Sequence, residues 1–279
     1  MTVTADMVKH LRERTGAGMM ECKKALDETN GDFEKAIEIL RKKGAATAAK
    51  RADKEANEGL VVSKISDDAK KGILLEVNCE TDFVSRGEDF KIFVDGLSEV
   101  IFKHTPKTNE ELLKLPFDAQ RDVAAALADI MAKIGEKTEI KRFSIITSES
   151  GFVESYIHMG SKIGVMVELS TEFSPEKKTL ARDIAMQIAA MNPITISRDQ
   201  ITKEIVAKEL EIYKTQAKNE GKPEAIADKI ATGRLEKFYQ ETVLLEQSFI
   251  KDAGKTIKDV LGGISVKQFQ RFQIGEITQ

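Results

Sequence analysis

The residue types that carry chemistry in proteins stand close together in one stretch of this chain, at Cys79, Glu80 and Asp82. A cysteine thiolate can act as a nucleophile when a histidine activates it, and two neighbouring carboxylates can act as general acid and base. The plain alternatives are commoner, because a cysteine at a buried strand end usually only packs and acidic pairs there are usually solvated. The three histidines of the chain are scattered. We therefore predict no catalytic residue.

Motifs that hold phosphate groups or metal ions are missing from the sequence. It contains neither a G-x-x-x-x-G-K-[ST] loop nor a G-x-G-x-x-G turn after a strand. Two cysteines and scattered histidines give no zinc-ligand spacing. A net charge of -3 argues against a general binder of nucleic acid, which would carry a strong basic excess. We expect no cofactor, no bound metal and no direct binding of nucleotide or nucleic acid.

The composition predicts a cytoplasmic protein that does not enter a membrane. The longest uncharged stretches are far too short to cross a bilayer, and the N-terminal residues lack the apolar core of a secretion signal. Cys22 and Cys79 cannot form a disulfide framework, which fits a reducing compartment. A charged fraction of 32% beside 41% hydrophobic residues is typical of a helix-rich protein with a packed core.

One segment after the apolar run 73–77 is unusual, because Phe83 stands beside an acid in a connection between a strand and a helix. Two interpretations stay open. In the first, Phe83 packs under the following helix, and Thr81 or Asp82 caps a turn. In the second, residues 81–84 form a rigid loop that presents an aromatic wedge and a carboxylate to a partner.

The residues before this segment form a small N-terminal module. Apolar residues at helical spacing predict three short helices within residues 1–44, with Thr4 and Asp32 as N-caps. Gly44, which follows two lysines, predicts the end of the third helix. Residues 45–58 are expected to form a linker that is partly helical. Three such short helices bury little surface, so the module either binds a protein or peptide or is purely structural.

An internal repeat organises the rest of the chain. Residues 59–76 and 151–168 align without gaps, and identical residues stand at positions such as Ser63 and Ser155. Each copy reads as strand, turn and strand, continues into a helix and ends in a similar third strand. The two copies therefore predict two units, each with a three-stranded antiparallel sheet covered by helices.

These units are residues 59–147 and 148–279, and the second is longer. Its extra residues lie at about 199–240, where apolar residues near heptad spacing predict an antiparallel helical hairpin, or coiled coil. Gly221 and Pro223 are expected to end the first helix and start the second. The apolar residues expected to line the returning helix are Ile226, Ile230 and Phe238. The hairpin is either a spacer or an arm for docking or dimerisation, and the fold class is α+β.

Two longer segments resemble the signature segments of elongation factor Ts, a family of bacterial translation factors. They are RTGAGMMECKKAL at 14–26 and VNCETDFV at 77–84. The resemblance continues through AKIGE at 132–136 and YIHMGSKIGV at 156–165 to the closing RFQIGE, and it covers essentially the whole chain. In that family the first module is ubiquitin-associated-like, and the core is a duplicated unit with a coiled-coil insertion.

The resemblance implies a guanine-nucleotide exchange factor that makes or breaks no bond. Members of the family bind elongation factor Tu with GDP and stabilise its empty form, so that GTP replaces GDP. The segment 81–84 is held to enter the partner near its nucleotide site and to disturb the oxygen ligands around Mg²⁺. The resemblance assigns Phe83 the wedge and Asp82 the polar perturbation, while Thr81 and Val84 fix the shape of the loop.

The same resemblance implies contacts with the partner outside this loop. In the N-terminal module the implied contacts are Arg12, Met19, Met20 and Lys23. In the core they are Ile134, Gly135 and His158. Helical spacing alone places Met19 in the module's core and Met20 on another face. For His158, an ordinary structural histidine is an equal alternative.

Two further expectations concern family variation. The sequence ends at Gln279, just after the last predicted strand, whereas some family members continue into a helix that touches the partner's GTPase domain. We therefore expect exchange to rest more heavily on the loop and the N-terminal module. The length of the hairpin matches a family form in which it contacts a second complex, so the resemblance implies a route to dimerisation of the complex.

Two other functions stay open. The chain could be an adaptor whose N-terminal module recognises some other protein, or an enzyme that acts through Cys79 or through Glu80 and Asp82. An adaptor would bind its partner without accelerating nucleotide release. An enzyme with a cysteine nucleophile would lose its activity in a Cys79→Ser variant.

Overall fold

The first three helices of the chain pack around a small core of their own. The computed structural model describes residues 2–51 and 53–276; the predicted domains also include positions 1, 52 and 277–279, which lie outside the described residues. The helices are α1 (Ala5–Thr15), α2 (Met19–Glu28) and α3 (Phe33–Lys50). Their shared core consists of Val8, Leu11, Cys22, Ala25, Leu26, Ala36 and Leu40.

The predicted caps of the first and third helices are confirmed. The Thr4 hydroxyl accepts a hydrogen bond from the backbone N–H of Met7 at 3.3 Å. The Asp32 carboxylate accepts one from the backbone N–H of Lys35 at 3.1 Å. Each cap satisfies a donor that the first helical turn leaves without a partner.

The first core unit is a sheet with helices packed against one face. Its elements are β1 (Glu58–Ile65), β2 (Lys71–Cys79), α4 (Asp82–Arg86), α5 (Glu88–His104), α6 (Asn109–Leu113), α7 (Val123–Ile134) and β3 (Thr138–Thr147). The strand order is β1-β2-β3, and both pairs are antiparallel. The central strand β2 is buried on both faces. Ile73 and Leu75 point into the helix-side core, whereas Leu74 points to a second core between the two units.

The second unit repeats this plan with an insertion. Its elements are β4 (Phe152–Ile157), β5 (Ile163–Leu169), α8 (Pro175–Met191), α9 (Lys203–Asn219), α10 (Glu224–Thr242), β6 (Ser248–Phe249), β7 (Asp252–Thr256), α11 (Ile257–Leu261) and β8 (Val266–Gln273). The sheet order is β4-β5-β8, again antiparallel, and β6 pairs with β7 in a small hairpin. The predicted α+β class and the two three-stranded antiparallel sheets are confirmed.

Reciprocal hydrogen bonds join the two units. The Lys70 ammonium donates to the carbonyl oxygen of Gly151 at 2.6 Å, and the Lys162 ammonium donates to that of Gly59 at 3.0 Å. Lys70 and Lys162 are equivalent positions of the repeat, as are Gly59 and Gly151. The same pair of bonds therefore occurs twice, related by an approximate two-fold axis.

The inserted hairpin consists of α9 and α10, and its seam is lined mainly by alanines. Gly221 adopts a left-handed φ of 77° just beyond α9, and Pro223 is the N-cap of α10, which confirms the predicted turn. The buried residues of the seam are Ala217, Ala227, Ala231 and Leu235. Ile226 is exposed, so its predicted place on the seam is wrong, because alanines line the contact between the helices.

The predicted end of a helix at Gly44 is also wrong, since α3 continues to Lys50. The reason is packing against α7. A Cβ atom on Gly44 would lie 3.3 Å from the Cβ of Ala132 and 3.4 Å from the carbonyl oxygen of Ala128. Gly44 therefore lets two helices approach closely, and the first residues of the predicted linker 45–58 are helical. Within the described residues, no helix is both long and apolar enough to span a bilayer.

Candidate functional site

The unusual segment of the sequence lies just beyond the end of the central strand of the first sheet. Strand β2 ends at Cys79, and residues from Asp82 onward form the short helix α4. Thr81 is the N-cap of this helix, and its hydroxyl accepts a hydrogen bond from the backbone N–H of Val84 at 3.4 Å. The segment is thus a capped helical turn rather than an open loop. The first of the two interpretations had offered Thr81 as such a cap.

The side chain of Phe83 points away from the protein. It is 85% exposed, so of the two interpretations left open, the one that packs Phe83 under the following helix does not hold. Val84, by contrast, is half-buried and packs against the helix-side core of the first unit, and Ser85 is buried. One side of the turn therefore anchors it, while the other presents a large aromatic ring to solvent.

Charged groups flank Phe83. Asp82 is half-buried, and its carboxylate forms an ion pair with the guanidinium of Arg86, 3.1 Å away. This i, i+4 pair along one face of α4 leaves Asp82 reachable from solvent. An aromatic ring and a carboxylate therefore project from neighbouring positions of one rigid turn.

Two carboxylates tie the turn to the segment between α7 and β3. Glu136 accepts hydrogen bonds from the backbone N–H of Thr81 at 3.0 Å and from its hydroxyl at 2.8 Å. Glu80 accepts one from the backbone N–H of Lys137 at 2.6 Å. The guanidinium of Arg51, just after α3, reaches both oxygens of Glu80 at 2.7 and 2.9 Å. The turn is thereby joined both to the core and to the chain that leaves the N-terminal module.

These contacts disfavour acid–base chemistry at Glu80 and nucleophilic chemistry at Cys79. The hydrogen bond from Lys137, helped by Arg51, lowers the pKa of the Glu80 carboxyl below its usual range, so Glu80 stays ionised near neutral pH. Burial raises the pKa of the Cys79 thiol to about 12, and its sulfur donates a hydrogen bond to the carbonyl oxygen of Thr81. A protonated, buried thiol is a poor nucleophile.

Ile134 and Gly135 lie beside this turn. Ile134 is half-buried and packs on the helix-side core. Gly135 ends α7 in the left-handed region at φ 77°, which favours glycine. Through the next residue, Glu136, this helix end contacts Thr81. The structure thus brings together the segment 81–84 and two of the residues implied by resemblance.

The other implied residues lie on other elements. Arg12 on α1 and Met19, Met20 and Lys23 on α2 are all exposed. Met19 is 59% and Met20 65% exposed, so the expected burial of Met19 is wrong. It shares the spacing of Cys22 and Leu26 but stands at the first position of α2, before the part of the helix that the small core covers.

His158 follows β4 at the turn towards β5 and is exposed. Its Nδ1 atom lies 2.8 Å from the hydroxyl oxygen of Tyr156, within hydrogen-bond distance. The neighbouring Met159 is 88% exposed. The side chain of His158 therefore lies at the surface beside Tyr156, and its other ring nitrogen is not needed for that contact.

Glu136 is the residue at this site that the sequence did not reveal. Its sequence signals were its place at the end of the segment AKIGE and an acid directly after a glycine, and neither indicated its partner. Thr81 and Glu136 are 55 residues apart in sequence, and no local pattern links them. Among the described residues, no group of three or more His, Cys, Asp or Glu is placed to hold a metal ion.

Comparisons with known proteins agree on one family. A family model described as Elongation factor TS matches residues 80–276. Elongation factor Ts of Chloroherpeton thalassium is 49% identical over 285 residues, which cover 98% of this chain and 99% of that protein. Elongation factor Ts of Chlorobaculum tepidum is 49% identical over 284 residues, with the same coverage. Elongation factor Ts of Clostridium botulinum is 47% identical over 283 residues, which cover 98% of this chain and 93% of that protein.

Proposed function

This chain belongs to the elongation factor Ts family, and on that premise we propose that it is a guanine-nucleotide exchange factor for elongation factor Tu. It would act in the cytoplasm during translation elongation. Such a factor makes and breaks no bond. It binds the nucleotide-free partner more tightly than the loaded one, and thermodynamic linkage then weakens the partner's affinity for GDP by the same factor.

The observation that carries this proposal is the exposure of Phe83 on an anchored turn. A side chain that is 85% exposed contributes little to the stability of the folded chain. Large aromatic side chains held on a rigid support are the typical centres of protein interfaces. Phe83 is therefore suited to enter a pocket of the partner as a wedge.

Asp82 would act beside this wedge on the partner's Mg²⁺. The ion needs near-octahedral oxygen ligands and bridges the nucleotide phosphates to the GTPase. A wedge that moves the elements holding those ligands weakens the binding of both ion and phosphate. The carboxylate of Asp82 would compete for cationic or donor groups near the ion, while Thr81 and Val84 hold the shape of the turn.

Further contacts would hold the partner without acting on its nucleotide. In the N-terminal module they are Arg12, Met19, Met20 and Lys23, and in the core they are Ile134, Gly135 and His158. Exposed methionines suit such a surface, because the flexible thioether adapts to an apolar face. We also propose that the hairpin of α9 and α10 can join two complexes, and that the units 59–147 and 148–279 are the two core domains.

Release of GDP tests the proposal. A fluorescent GDP analogue is bound to elongation factor Tu, and its release is followed with and without this protein. An exchange factor accelerates release in proportion to its concentration until saturation. An adaptor binds without acceleration, and that result would refute the proposal. A Cys79→Ser variant should accelerate release as the wild type does, because the thiol takes no part in exchange.

A further inference from the structure

The two carboxylates near the turn form a reciprocal pair of bonds. The Glu80 side chain accepts from the backbone of residue 137, and the Glu136 side chain accepts from the backbone of residue 81. The last antiparallel pair of β2 and β3 is Cys79 with Thr138. The side chains therefore continue the connection between the two segments beyond the point where strand pairing ends.

Glu136 also orients the hydroxyl that caps α4. A threonine hydroxyl has one proton to donate and lone pairs to accept with. Thr81 donates that proton to Glu136 at 2.8 Å, and a lone pair accepts from the N–H of Val84. Because bonds to a carboxylate are stronger than neutral ones, Glu136 fixes the direction of the proton and leaves the lone pairs for the cap.

Helix α4 needs such an anchor. It contains five residues, and a helix this short is unstable without contacts to the rest of the protein. Val84 and Ser85 hold it from below. The exposed ring of Phe83 is held only through the backbone that carries it, so its direction depends on how firmly the start of α4 is fixed.

The end of α7 places Glu136 for this task. Gly135 turns the chain through the left-handed region directly after the helix, and Ile134 packs on the core before it. The turn brings the next side chain, Glu136, to Thr81. Ile134 and Gly135 thus position the carboxylate, whatever contacts they make with a partner.

We propose that Glu136 is a positioning residue for nucleotide exchange, whose carboxylate holds Thr81 so that Phe83 meets the partner already oriented. The proposal rests on the exchange function proposed above. Preorganised groups bind without losing the free energy needed to order them. Loss of the carboxylate should therefore impair what Phe83 does to the bound nucleotide and leave the remaining contacts intact.

The test compares Glu136→Ala and Glu136→Gln with the control Glu139→Ala in the full chain. Glu139 is another half-buried acid, on the strand β3, and its carboxylate forms long ion pairs with Lys137 and Lys141, at 3.8 and 3.9 Å. Hydrogen exchange of the Thr81 amide, measured on the protein alone, reports whether Glu136 holds Thr81. GDP release from elongation factor Tu over a range of factor concentrations gives the maximal rate and the half-saturating concentration.

Glu136→Ala should speed exchange of the Thr81 amide by about ten-fold or more, since bonds to charged groups are the stronger ones. It should lower the maximal release rate by about ten-fold and change the half-saturating concentration by less than about two-fold. Glu136→Gln keeps one acceptor oxygen and should fall between wild type and Glu136→Ala. In a Phe83→Ala background, Glu136→Ala should add less than about a two-fold loss, because the two residues act as one unit. Glu139→Ala should change none of these quantities.

Three results would overturn the proposal. One is an unprotected Thr81 amide in Glu136→Ala together with an unchanged maximal rate. Another is a maximal release rate that Glu136→Ala lowers by the same factor in the Phe83→Ala background as in the wild type, which would mean that Glu136 acts independently of Phe83. The third is unchanged protection of the Thr81 amide, which would show that Glu136 does not hold the turn. If the wild type itself fails to accelerate GDP release, the proposed exchange function is wrong, and the positioning role in exchange is wrong with it. Amide exchange still decides whether Glu136 holds Thr81.

Discussion

The hydroxyl oxygens of Ser63 and Ser155 lie 3.0 Å apart, and the two residues occupy the same position in the two copies of the repeat, 92 residues apart in sequence. A residue that contacts its own equivalent lies on the axis that relates the copies. The two sheets therefore pack through equivalent faces of β1 and β4, as in a symmetric dimer whose halves are joined in one chain.

Gly72 and Gly164, which are equivalent positions of the repeat, let the two sheets pack closely. A Cβ atom on Gly164 would lie 2.5 Å from Cγ1 of Val61 and 2.9 Å from Cδ1 of Ile157. We expect Gly164→Ala to lower the free energy of unfolding by about 1–3 kcal/mol, the usual cost of overpacking a core. Urea denaturation measures this change.

A second glycine supplies the control of opposite sign. Gly233 lies within α10, and a Cβ atom there would meet no described atom within 4 Å. Gly233→Ala should raise the free energy of unfolding by about 1 kcal/mol, because alanine favours the helix. If the two substitutions changed the free energy of unfolding equally, the sheets would not be packed closely at Gly164.

The exposed methionines of α2 are predicted to bind the partner without acting on its nucleotide. Met19→Ala combined with Met20→Ala should raise the half-saturating concentration in the GDP-release assay by about ten-fold, a loss of about 1.4 kcal/mol. The maximal rate should not change. Ile250→Ala, which alters an exposed apolar residue between β6 and β7, is the matched control. A fall in the maximal rate at unchanged half-saturation would contradict this assignment.

The ionised Glu80 should make part of the stability depend on pH. Its folded pKa is lowered, first by the hydrogen bond from Lys137 and then by Arg51, so the unfolded chain takes up a proton at a higher pH than the folded chain. Its contribution is complete above the ordinary value of about 4.3 and is lost as the pH falls through the lowered pKa. In urea denaturation, wild type should be more stable than Glu80→Gln at pH 7, and the difference should shrink below about pH 4.3. A difference that stays constant or widens on acidification would contradict this.

The repeat could be predicted from sequence because equivalent residues stand at a constant spacing and each copy carries the same strand pattern. The contact between Ser63 and Ser155 could not, since a repeat does not reveal which faces of its copies meet. The caps Thr4 and Asp32 were predictable because a cap forms its hydrogen bond with a backbone N–H only three residues further along the chain.

The predictions for Gly44 and Ile226 were wrong because local spacing does not reveal how helices pack against each other. Gly44 has the local signals of a helix end, yet the helix continues there and packs closely against α7. Ile226 has the spacing of a seam residue, but the hairpin packs through Ala227 and Ala231. Glu136 could not be assigned from its local sequence, because its partner Thr81 is 55 residues away.

Phe83 is the residue on which the proposed mechanism depends most directly. The decisive measurement is the rate of GDP release from elongation factor Tu at saturating concentrations of wild type, Phe83→Ala and Asp82→Ala. We expect Phe83→Ala to slow release by about 30-fold, equal to about 2 kcal/mol, with the free energy of unfolding changed by less than about 0.5 kcal/mol because the ring is exposed. Asp82→Ala should show a smaller loss. A folded Phe83→Ala variant that releases GDP as fast as the wild type would contradict the wedge and assign exchange to the other contacts.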